Sequence, residues 1–547
     1  MISSYSKKIF NYATKNKKNI IALLVVLAFI IIFSVFSVLQ YYSLDVSAFD
    51  LGVNAQEVYS FLYTGSFYTS LLGENALAQH FTLFKFLQVP LYYLFPSPVT
   101  LMIFEDIFIA LAGYIIYLIS MNLLKDHIKS EKILFLVSIG FLLSYEFSPF
   151  SESLVSFSFH NMAFLPFFFL LAFYSFLAER RILHIVSIIF IISLHANFVY
   201  IVGVLLLYEF LFLHTYRGKK INTWFLHNSN SSKIANFSVF ILAIVLLYGY
   251  ILLAGLIKLH LAGISSFSII PTSGETGTPV GSPVGLILLM FKKPSEFVSI
   301  ISSNKGQKVF FINMLLKSNL YLPLLSPMSL ILSMPYILYA VPSSYNSYYV
   351  LGYQYSAMVL GAIYISAIIG LYNLIKLGKY VNRHSKQLPL KLQKTFHYKG
   401  VGIAIVTIII VLVLAISLPY GILAPVELEH TSYRGVMNDI YNEIPSGDTT
   451  YLINISKHLP KNSYILTENT LMPYFSNNLH IYLSTFTPGY YNNLSKYQFI
   501  IFQNNSFWAT YGGYYSLQNI ADRELENGNY SVMENYSSGN IIVLERG

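Results

Sequence analysis

Residues 20–39 read IIALLVVLAFIIIFSVFSVL, an apolar run without a charged residue that decides the fold. A helix of about 20 such residues crosses the ~30 Å hydrocarbon core of a bilayer. Five lysines precede the run. Basic residues beside a membrane span predict the cytoplasmic side, so we expect the N-terminus in the cytoplasm. The run is longer than the core of a signal peptide and no small-residue cleavage motif follows it. We therefore interpret it as an uncleaved first span.

The composition of the whole chain agrees with a membrane protein. Of 547 residues, 55% are hydrophobic and only 11% are charged, whereas soluble domains are about 25% charged. Together with residues 20–39, later apolar runs predict an all-α polytopic membrane protein of about eleven transmembrane helices. The later runs lie at 99–123, 133–149, 162–177, 182–195, 197–214, 236–257, 309–323, 326–342, 355–375 and 401–419.

The charges predict the topology. Alternate loops are basic, as expected for the cytoplasmic side, so the net charge of +9 needs no nucleic acid partner. An odd number of spans places the tail outside the cytoplasm. The chain has no cysteine, which excludes disulfides and thiolate metal sites.

Two domains are predicted: a transmembrane domain, 1–424, and a small extracytoplasmic α/β domain, 425–547. The tail has strand-like stretches at 463–466, 481–484, 499–503 and 541–545, and helix-like stretches at 435–444 and 517–526. Its Asn-x-Ser sequons at Asn454, Asn493, Asn504, Asn529 and Asn535 fit a glycosylated surface. Sequons also arise by chance in such a chain, and one at Asn230 falls in a predicted inner loop.

Two outer loops, 41–98 and 258–308, are the places where we expect chemistry. The first contains Asp50, Gln56 and His80, within two amphipathic segments separated by a glycine-containing turn. A carboxylate there could accept a proton from a hydroxyl, and a histidine could bind phosphate. Alternatively, Asp50 only caps a helix and His80 is an interfacial residue. The second loop is rich in Gly, Pro, Ser and Thr and is predicted to be flexible, like a lid.

Other polar residues lie in or beside the apolar runs. Glu105 and Asp106 fall inside the second, where ionisable groups usually face a cavity or a partner. His160 and His195 begin or interrupt later runs and would converge on an outward cleft. Each of these has a plain alternative as an ion-paired or interfacial residue.

Two further candidates lie later in the chain. Lys317 could hold a lipid phosphate or could snorkel to the headgroups. Tyr349 could stack on a sugar or could belong to an interfacial aromatic belt.

The sequence also resembles a known family. The pattern FDLG at 49–52, with Gln56, His80 and PLY at 90–92, is similar to a family of predicted archaeal and bacterial membrane proteins with a domain of unknown function, which is grouped with the GT-C glycosyltransferases. The resemblance continues through FH at 159–160, LPLLSP at 322–327, Pro335 and residues 349–355, and reaches the tail at TEN, 467–469, and PYFS, 473–476. It covers most of the chain.

The resemblance implies a GT-C-like fold and a specific reaction. A sugar would pass from a polyprenyl-phosphate carrier to a glycan, lipid or protein acceptor outside the cytoplasm, with Asp50 as the catalytic base. His80 matches a position where related transferases carry His-Pro-Pro, but this chain has His-Phe-Thr. The second acid that such enzymes often use for a divalent metal is absent beside Asp50, so a metal requirement is left open.

Two other functions remain as alternatives. Glu105 and Asp106 would suit a transporter or lipid flippase, although no internal repeat supports one. The missing second acid would suit a non-catalytic scaffold that presents the C-terminal domain to a partner.

Overall fold

The computed structural model describes residues 16–215, 232–262, 283–343, 345–384, 446–485, 490–533, 537 and 540–547. Within these ranges most residues are helical, and the strands are confined to a short hairpin and a C-terminal sheet. The helices before the sheet, α1 to α16, are Lys17–Tyr42, Val53–Thr64, Ala76–Gln79, Lys85–Leu94, Pro98–Leu124, Glu131–Glu146, Pro149–Ser156, Leu165–Leu177, Arg181–Leu194, Val199–Thr215, Ser232–Ala262, Pro283–Lys292, Pro294–Ser302, Lys305–Lys317, Met334–Ala340 and Ala357–His384.

Four helical segments among the described residues are long and apolar enough to cross a membrane: Lys17–Tyr42, Pro98–Leu124, Ile241–Leu261 and Gln354–Tyr380. A fifth candidate is the pair α6 and α7, which is bent by 41°. Shorter apolar helices of 10–17 residues form at Asn161–Leu177, Arg181–Leu194, Ala196–Leu211 and Ser329–Ala340.

The expected count of about eleven spans is therefore not confirmed. Prolines are one physical reason, because they interrupt helical hydrogen bonding. The predicted run at 326–342 divides into a 3₁₀ turn, Ser329–Ser333, and the short helix α15. The predicted run at 401–419 lies outside the described residues.

The predicted flexible loop at 258–308 also differs from the structure. Helix α11 continues to Ala262, and α12 and α13 occupy most of 283–302. The part of this loop that is rich in Gly, Pro, Ser and Thr, residues 263–282, lies outside the described residues.

Residues 41–98, which we predict to be the first outer loop, build a platform beyond the end of α1. Helix α2 is followed by a two-stranded hairpin, β1 (Tyr68–Thr69) and β2 (Glu74–Asn75), and then by α3 and α4. The two predicted amphipathic segments thus correspond to α2 and α4. His80 lies in the break between α3 and α4.

The C-terminal domain is a five-stranded mixed sheet with helices, as its sequence pattern predicts. Its strands are β3 (Tyr464–Thr467), β4 (His480–Leu483), β5 (Phe499–Gln503), β6 (Tyr530–Val532) and β7 (Ile541–Arg546). The strand order is β4-β3-β5-β7-β6, with β3 parallel to β4 and β5 and the other pairs antiparallel. Its helices are α17 (Gly447–His458), α18 (Phe507–Thr510) and α19 (Leu517–Glu526).

The predictions for this domain succeed in its strands and partly in its helices. Four of the strands and α19 form where the sequence places them, whereas β6, α17 and α18 are not predicted. The predicted helix at 435–444 lies outside the described residues. The boundary between domains near residue 424 lies there too and stays a prediction.

The sheet docks on the first outer loop and on the end of α1. The Ser70 hydroxyl donates to the Ile481 carbonyl over 2.7 Å and accepts from the Ile481 amide over 2.8 Å, which covers the edge strand β4. The Ser446 amide and the Thr449 hydroxyl both donate to the Tyr42 carbonyl, over 2.9 and 2.7 Å. These bonds satisfy backbone groups that a buried interface would otherwise leave unpaired.

Close packing of α16 gives a test of the bundle. A Cβ added at Gly370 would lie 2.0 Å from the Leu322 carbonyl oxygen, whereas one at Gly378 would meet nothing within 4 Å. We expect Gly370→Ala to lower the free energy of unfolding by about 1–3 kcal/mol, the usual cost of overpacking. Gly378→Ala should be neutral or slightly stabilising, because alanine favours a helix. Thermal unfolding in detergent measures both, and an equal Tm for the two variants would contradict this packing.

Candidate functional site

A cavity of about 140 Å³ opens between the first outer loop and the segments that precede α8 and α10. It is smaller than the ~300–1,000 Å³ of typical ligand pockets, so it suits the reacting end of a larger molecule. Its lining combines two carboxyl groups, imidazoles, amides and one lysine with apolar side chains. The lining residues are Phe49, Asp50, Val53, Asn54, Glu57, Leu72, Ala76, His80, Thr82, Lys85, His160, Asn161, Met162, Leu194 and His195.

Asp50 occupies a strained turn at the base of the cavity. Its φ of 70° and ψ of −80° belong to the rare form of γ-turn with positive φ. Such conformations cost roughly 1–3 kcal/mol and persist where the surroundings enforce them. The Asn54 side-chain amide donates to the Asp50 carbonyl over 2.6 Å, which helps to fix the turn. The helix α2 that follows makes no side-chain cap hydrogen bond, so the simple capping role for Asp50 is not seen.

His160 is the nearest basic partner of Asp50. Its Nε2 atom lies 3.5 Å from Asp50 Oδ1, and both side chains are about one-quarter exposed. The Met162 amide donates to His160 Nδ1 over 3.1 Å. Because Nδ1 is an acceptor there, the proton of the neutral ring belongs on Nε2. The imidazole thus presents an N–H group toward the carboxyl group of Asp50.

Glu105 fixes the backbone at this point. Both of its carboxylate oxygens accept from the His160 amide, over 3.2 and 3.3 Å, and the residue is 1% exposed. The sequence placed Glu105 near the site, and its contact is with the backbone of a cavity residue. Glu105 thereby holds the start of the 3₁₀ turn that precedes α8.

His195 repeats the arrangement of His160 at the start of α10. The Asn197 amide donates to His195 Nδ1 over 3.1 Å, which again leaves the ring proton on Nε2. The ring centroids of His195 and His80 are 5.0 Å apart, and the Ala196 amide donates to the His80 carbonyl over 3.3 Å. Three histidines that are far apart in sequence thus meet around one cavity.

A buried polar network forms the other wall, and the sequence did not reveal it. The Lys85 ammonium lies 2.5 Å from Glu57 Oε2, with both side chains under 5% exposed. The Lys85 ammonium also donates to Asn54 Oδ1, which accepts from the Asn161 amide over 2.8 Å. The Gln88 amide donates to Asn161 Oδ1 over 2.5 Å. A signal did exist, since Lys85 and Gln88 are spaced to share one face of α4.

The surroundings change the protonation of these groups. Burial raises the pKa of Asp50 to about 7, although the positive charge of Lys85 opposes the shift. Burial, with the neighbouring charges of His80 and Lys85, lowers the pKa of His160 to about 3. Burial, with Lys258 and Lys85, lowers the pKa of His80 to about 4, while its ring still faces the open cavity. Near neutral pH the site therefore holds neutral imidazoles around a carboxyl group that is poised to gain or lose a proton.

Five of the predicted residues do not line the cavity, and Glu105, which reaches only the His160 backbone, is one of them. Gln56 is fully engaged in the interface with the C-terminal domain, where its amide donates to Ser70 Oγ over 2.8 Å and to the Asn478 carbonyl over 3.0 Å. Tyr349 lies beside Lys308, whose ammonium is 5.1 Å from the ring centroid. Asp106 is buried in α5, and Lys317 ends α14; neither lines the cavity.

The described residues contain no group of three or more His, Asp or Glu side chains that could hold a metal ion. The possible divalent metal therefore has no proposed ligand set among them. The carboxylate, imidazole and ammonium groups of the cavity can by themselves exchange protons and bind an anion.

The raised pKa of Asp50 predicts a pH-dependent reactivity. Hydrophobic carbodiimides modify protonated carboxyl groups, so labelling of Asp50 should be strong at about pH 6 and weak at about pH 8. An ordinary aspartate, with a pKa of about 3.9, would already be ionised at both. Peptide mass mapping of the protein in detergent identifies the labelled residue, with Asp50→Asn as the control. Labelling that does not change between these pH values would contradict the proposed protonation.

Comparisons with known proteins place the chain in a family. Among solved structures, it is similar to ArnT from Cupriavidus metallidurans bound to undecaprenyl phosphate, with a TM-score of 0.48 and 12% identity over 95% of this chain and 97% of that chain. It is also similar to ArnT from the same organism in the apo state, with a TM-score of 0.44 and 11% identity over the same shares. No curated protein matches significantly.

The family model described as predicted membrane protein (DUF2079) matches residues 40–543. This match spans the first outer loop, the helical bundle and almost all of the C-terminal domain. It confirms the resemblance to a family of predicted membrane proteins. The chain therefore belongs to the predicted membrane protein family DUF2079.

Proposed function

We propose that this membrane protein is a glycosyltransferase of the GT-C type, which moves a sugar from a polyprenyl-phosphate-linked donor to an acceptor hydroxyl outside the cytoplasm. The observation that carries the proposal is the Asp50 carboxyl group, which is held in a strained turn at a cavity and faces His160 over 3.5 Å. Strain of this kind concentrates at functional sites. A carboxyl group with a pKa of about 7 is suited to general base catalysis at neutral pH.

In the proposed reaction, Asp50 removes the proton from the acceptor hydroxyl. The acceptor oxygen forms a bond to the anomeric carbon of the donor sugar as the bond from that carbon to the phosphate oxygen breaks. Polyprenyl monophosphate leaves with the bonding electron pair, and the proton remains on Asp50 until it passes to solvent. The His160 N–H group orients the Asp50 carboxylate for this step.

Another part of the cavity wall supplies groups that suit a phosphate. His80 lines the cavity, and Lys85 adds a cation that Glu57 and Asn54 hold in place. Because His195 is neutral and carries its proton on Nε2, it can donate a hydrogen bond to a phosphate oxygen. Lysine is a common phosphate ligand as a point charge. We therefore assign the phosphate to His80, His195 and Lys85, since Lys317 is not among the lining residues.

An apolar surface beside this wall favours a lipid-linked donor over a soluble one. Phe81 and Ala196, which neighbour His80 and His195, pack with Ala254 of α11 in a small apolar cluster. Helix α11 also exposes many leucines, as expected for a lipid-facing helix. A polyprenyl chain could lie along α11 while its phosphate reaches the cavity.

The main test is the removal of the proposed base. Asp50→Asn should lower sugar transfer by at least about 100-fold, in the range typical of general base catalysis. The assay follows release of polyprenyl monophosphate from a panel of polyprenyl-phosphate-linked hexoses and pentoses. Asp45→Asn, in the same loop but outside the cavity lining, should retain activity. Equal turnover by Asp50→Asn and wild type would contradict the assignment.

The phosphate assignment is tested by binding. We expect the pair Lys85→Met with Glu57→Gln, which removes both buried charges together, to weaken binding of polyprenyl monophosphate by about tenfold or more. Lys317→Ala should bind like wild type. Binding of polyprenyl monophosphate to the purified proteins in detergent distinguishes the two variants. Weaker binding in Lys317→Ala alone would contradict the assignment and indicate Lys317 as the phosphate ligand.

A further inference from the structure

The C-terminal domain carries an exposed aromatic segment that the proposed reaction does not use. Residues 507–515 read FWATYGGYY and contain no charge. Phe507 is 67% exposed, Tyr511 58% and Tyr514 66%. Large aromatic side chains that are this exposed in one segment usually mark an interaction surface.

The segment is rigidly attached to the sheet. Buried Glu468, which follows β3, accepts from the Ser506 hydroxyl over 2.5 Å and from the Gln503 amide over 3.0 Å. Ser506 in turn accepts from the Ala509 amide over 3.0 Å and so begins α18. The aromatic side chains therefore project from a fixed base at the carboxyl edge of β3 and β5.

Short contacts join this edge to the outer end of the first span. The Asn504 amide donates to the Asn540 carbonyl over 2.6 Å, and the Asn540 side chain donates to Asp448 over 3.1 Å. Asp448 lies in the first turn of α17, whose Thr449 binds the Tyr42 carbonyl where α1 ends. The chain leading to Phe507 is thus a few hydrogen-bonded contacts from the place where the protein leaves the membrane.

The chemistry of the segment matches a lipid headgroup layer. Tryptophan and tyrosine concentrate at membrane interfaces because their rings meet lipid while their polar atoms meet water. Arg523 lies over the Tyr514 ring, with its guanidinium carbon 4.3 Å from the centroid. Its positive charge sits where it can meet anionic headgroups.

We propose that the aromatic segment, residues 507–515, docks on the headgroup layer of the membrane. The C-terminal domain is then held at two places, by its packing on the first outer loop and by this lipid contact. The second contact limits tilting of the domain relative to the cavity beneath it.

Tryptophan fluorescence tests the docking directly. The chain has two tryptophans, Trp224 and Trp508, so Trp224→Phe leaves Trp508 as the single reporter in the full-length protein. The protein is placed in nanodiscs of phosphatidylcholine and phosphatidylglycerol, with or without bromine on the upper acyl chain. Trp508 should lose about half of its fluorescence or more in the brominated discs, because interfacial indoles lie at that depth.

A second reporter controls for quenching that needs no docking. Asn527 is exposed and follows α19, one helix length of about 15 Å from the carboxyl edge. Asn527→Trp, with Trp508→Phe and Trp224→Phe, should show no bromine quenching. Phe507→Ser with Tyr511→Ser should reduce quenching of Trp508 while the Tm stays close to that of the parent.

Equal Trp508 fluorescence in the two kinds of disc would overturn the docking. Equal quenching of Trp508 and of the Asn527→Trp reporter would overturn it as well. The measurement reads lipid contact and not sugar transfer, so its failure would leave the proposed function to its own tests.

Discussion

The packing of the C-terminal domain against the Asp50 turn is the constraint on which the site depends. A Cβ added at Gly52 would lie 2.5 Å from the Met472 sulfur, so the turn and the C-terminal domain are in direct contact. The Ala48 amide donates to Asn469 Oδ1 over 3.2 Å, and the Tyr474 hydroxyl donates to the Tyr41 carbonyl. These contacts bracket Asp50 on both sides. They offset the roughly 1–3 kcal/mol that its positive φ costs and aim its carboxyl group into the cavity.

Burial determines the protonation states of the side chains around the cavity. The same enclosure that raises the pKa of Asp50 lowers the pKa of His80 and His160, because each effect disfavours the charged form. Lys85 and Glu57 are buried together as a pair over 2.5 Å, which offsets part of the cost of burying either group alone. The result is a carboxyl group among neutral imidazoles, with the Lys85–Glu57 pair joined to the Asp50 turn through Asn54.

Sequence reasoning found the individual polar residues better than their arrangement. Asp50 and His80 stood out through their place in the first outer loop and the family resemblance, and His160 and His195 because they begin or interrupt apolar runs. The fold brings all four to one cavity. Lys85 and Glu57 did not stand out, since charged residues on amphipathic helices are ordinary and their pairing spans 28 residues. Gln56 belongs to the same motif as Asp50, but its side chain faces the C-terminal domain. The direction of that side chain depends on how α2 is rotated about its axis, which the motif does not specify. The number of spans could not be read from hydropathy because prolines and 3₁₀ turns divide several apolar runs.

The most direct test of the account is an electron cryo-microscopy structure of the Asp50→Asn protein in nanodiscs with a polyprenyl-phosphate-linked sugar. The account predicts that the phosphate lies against His80, His195 and Lys85, that the sugar faces residue 50, and that the polyprenyl chain follows α11. The C-terminal contacts at Gly52 and Ala48 should be unchanged. Density for the phosphate at Lys317, or a sugar bound away from residue 50, would contradict the account.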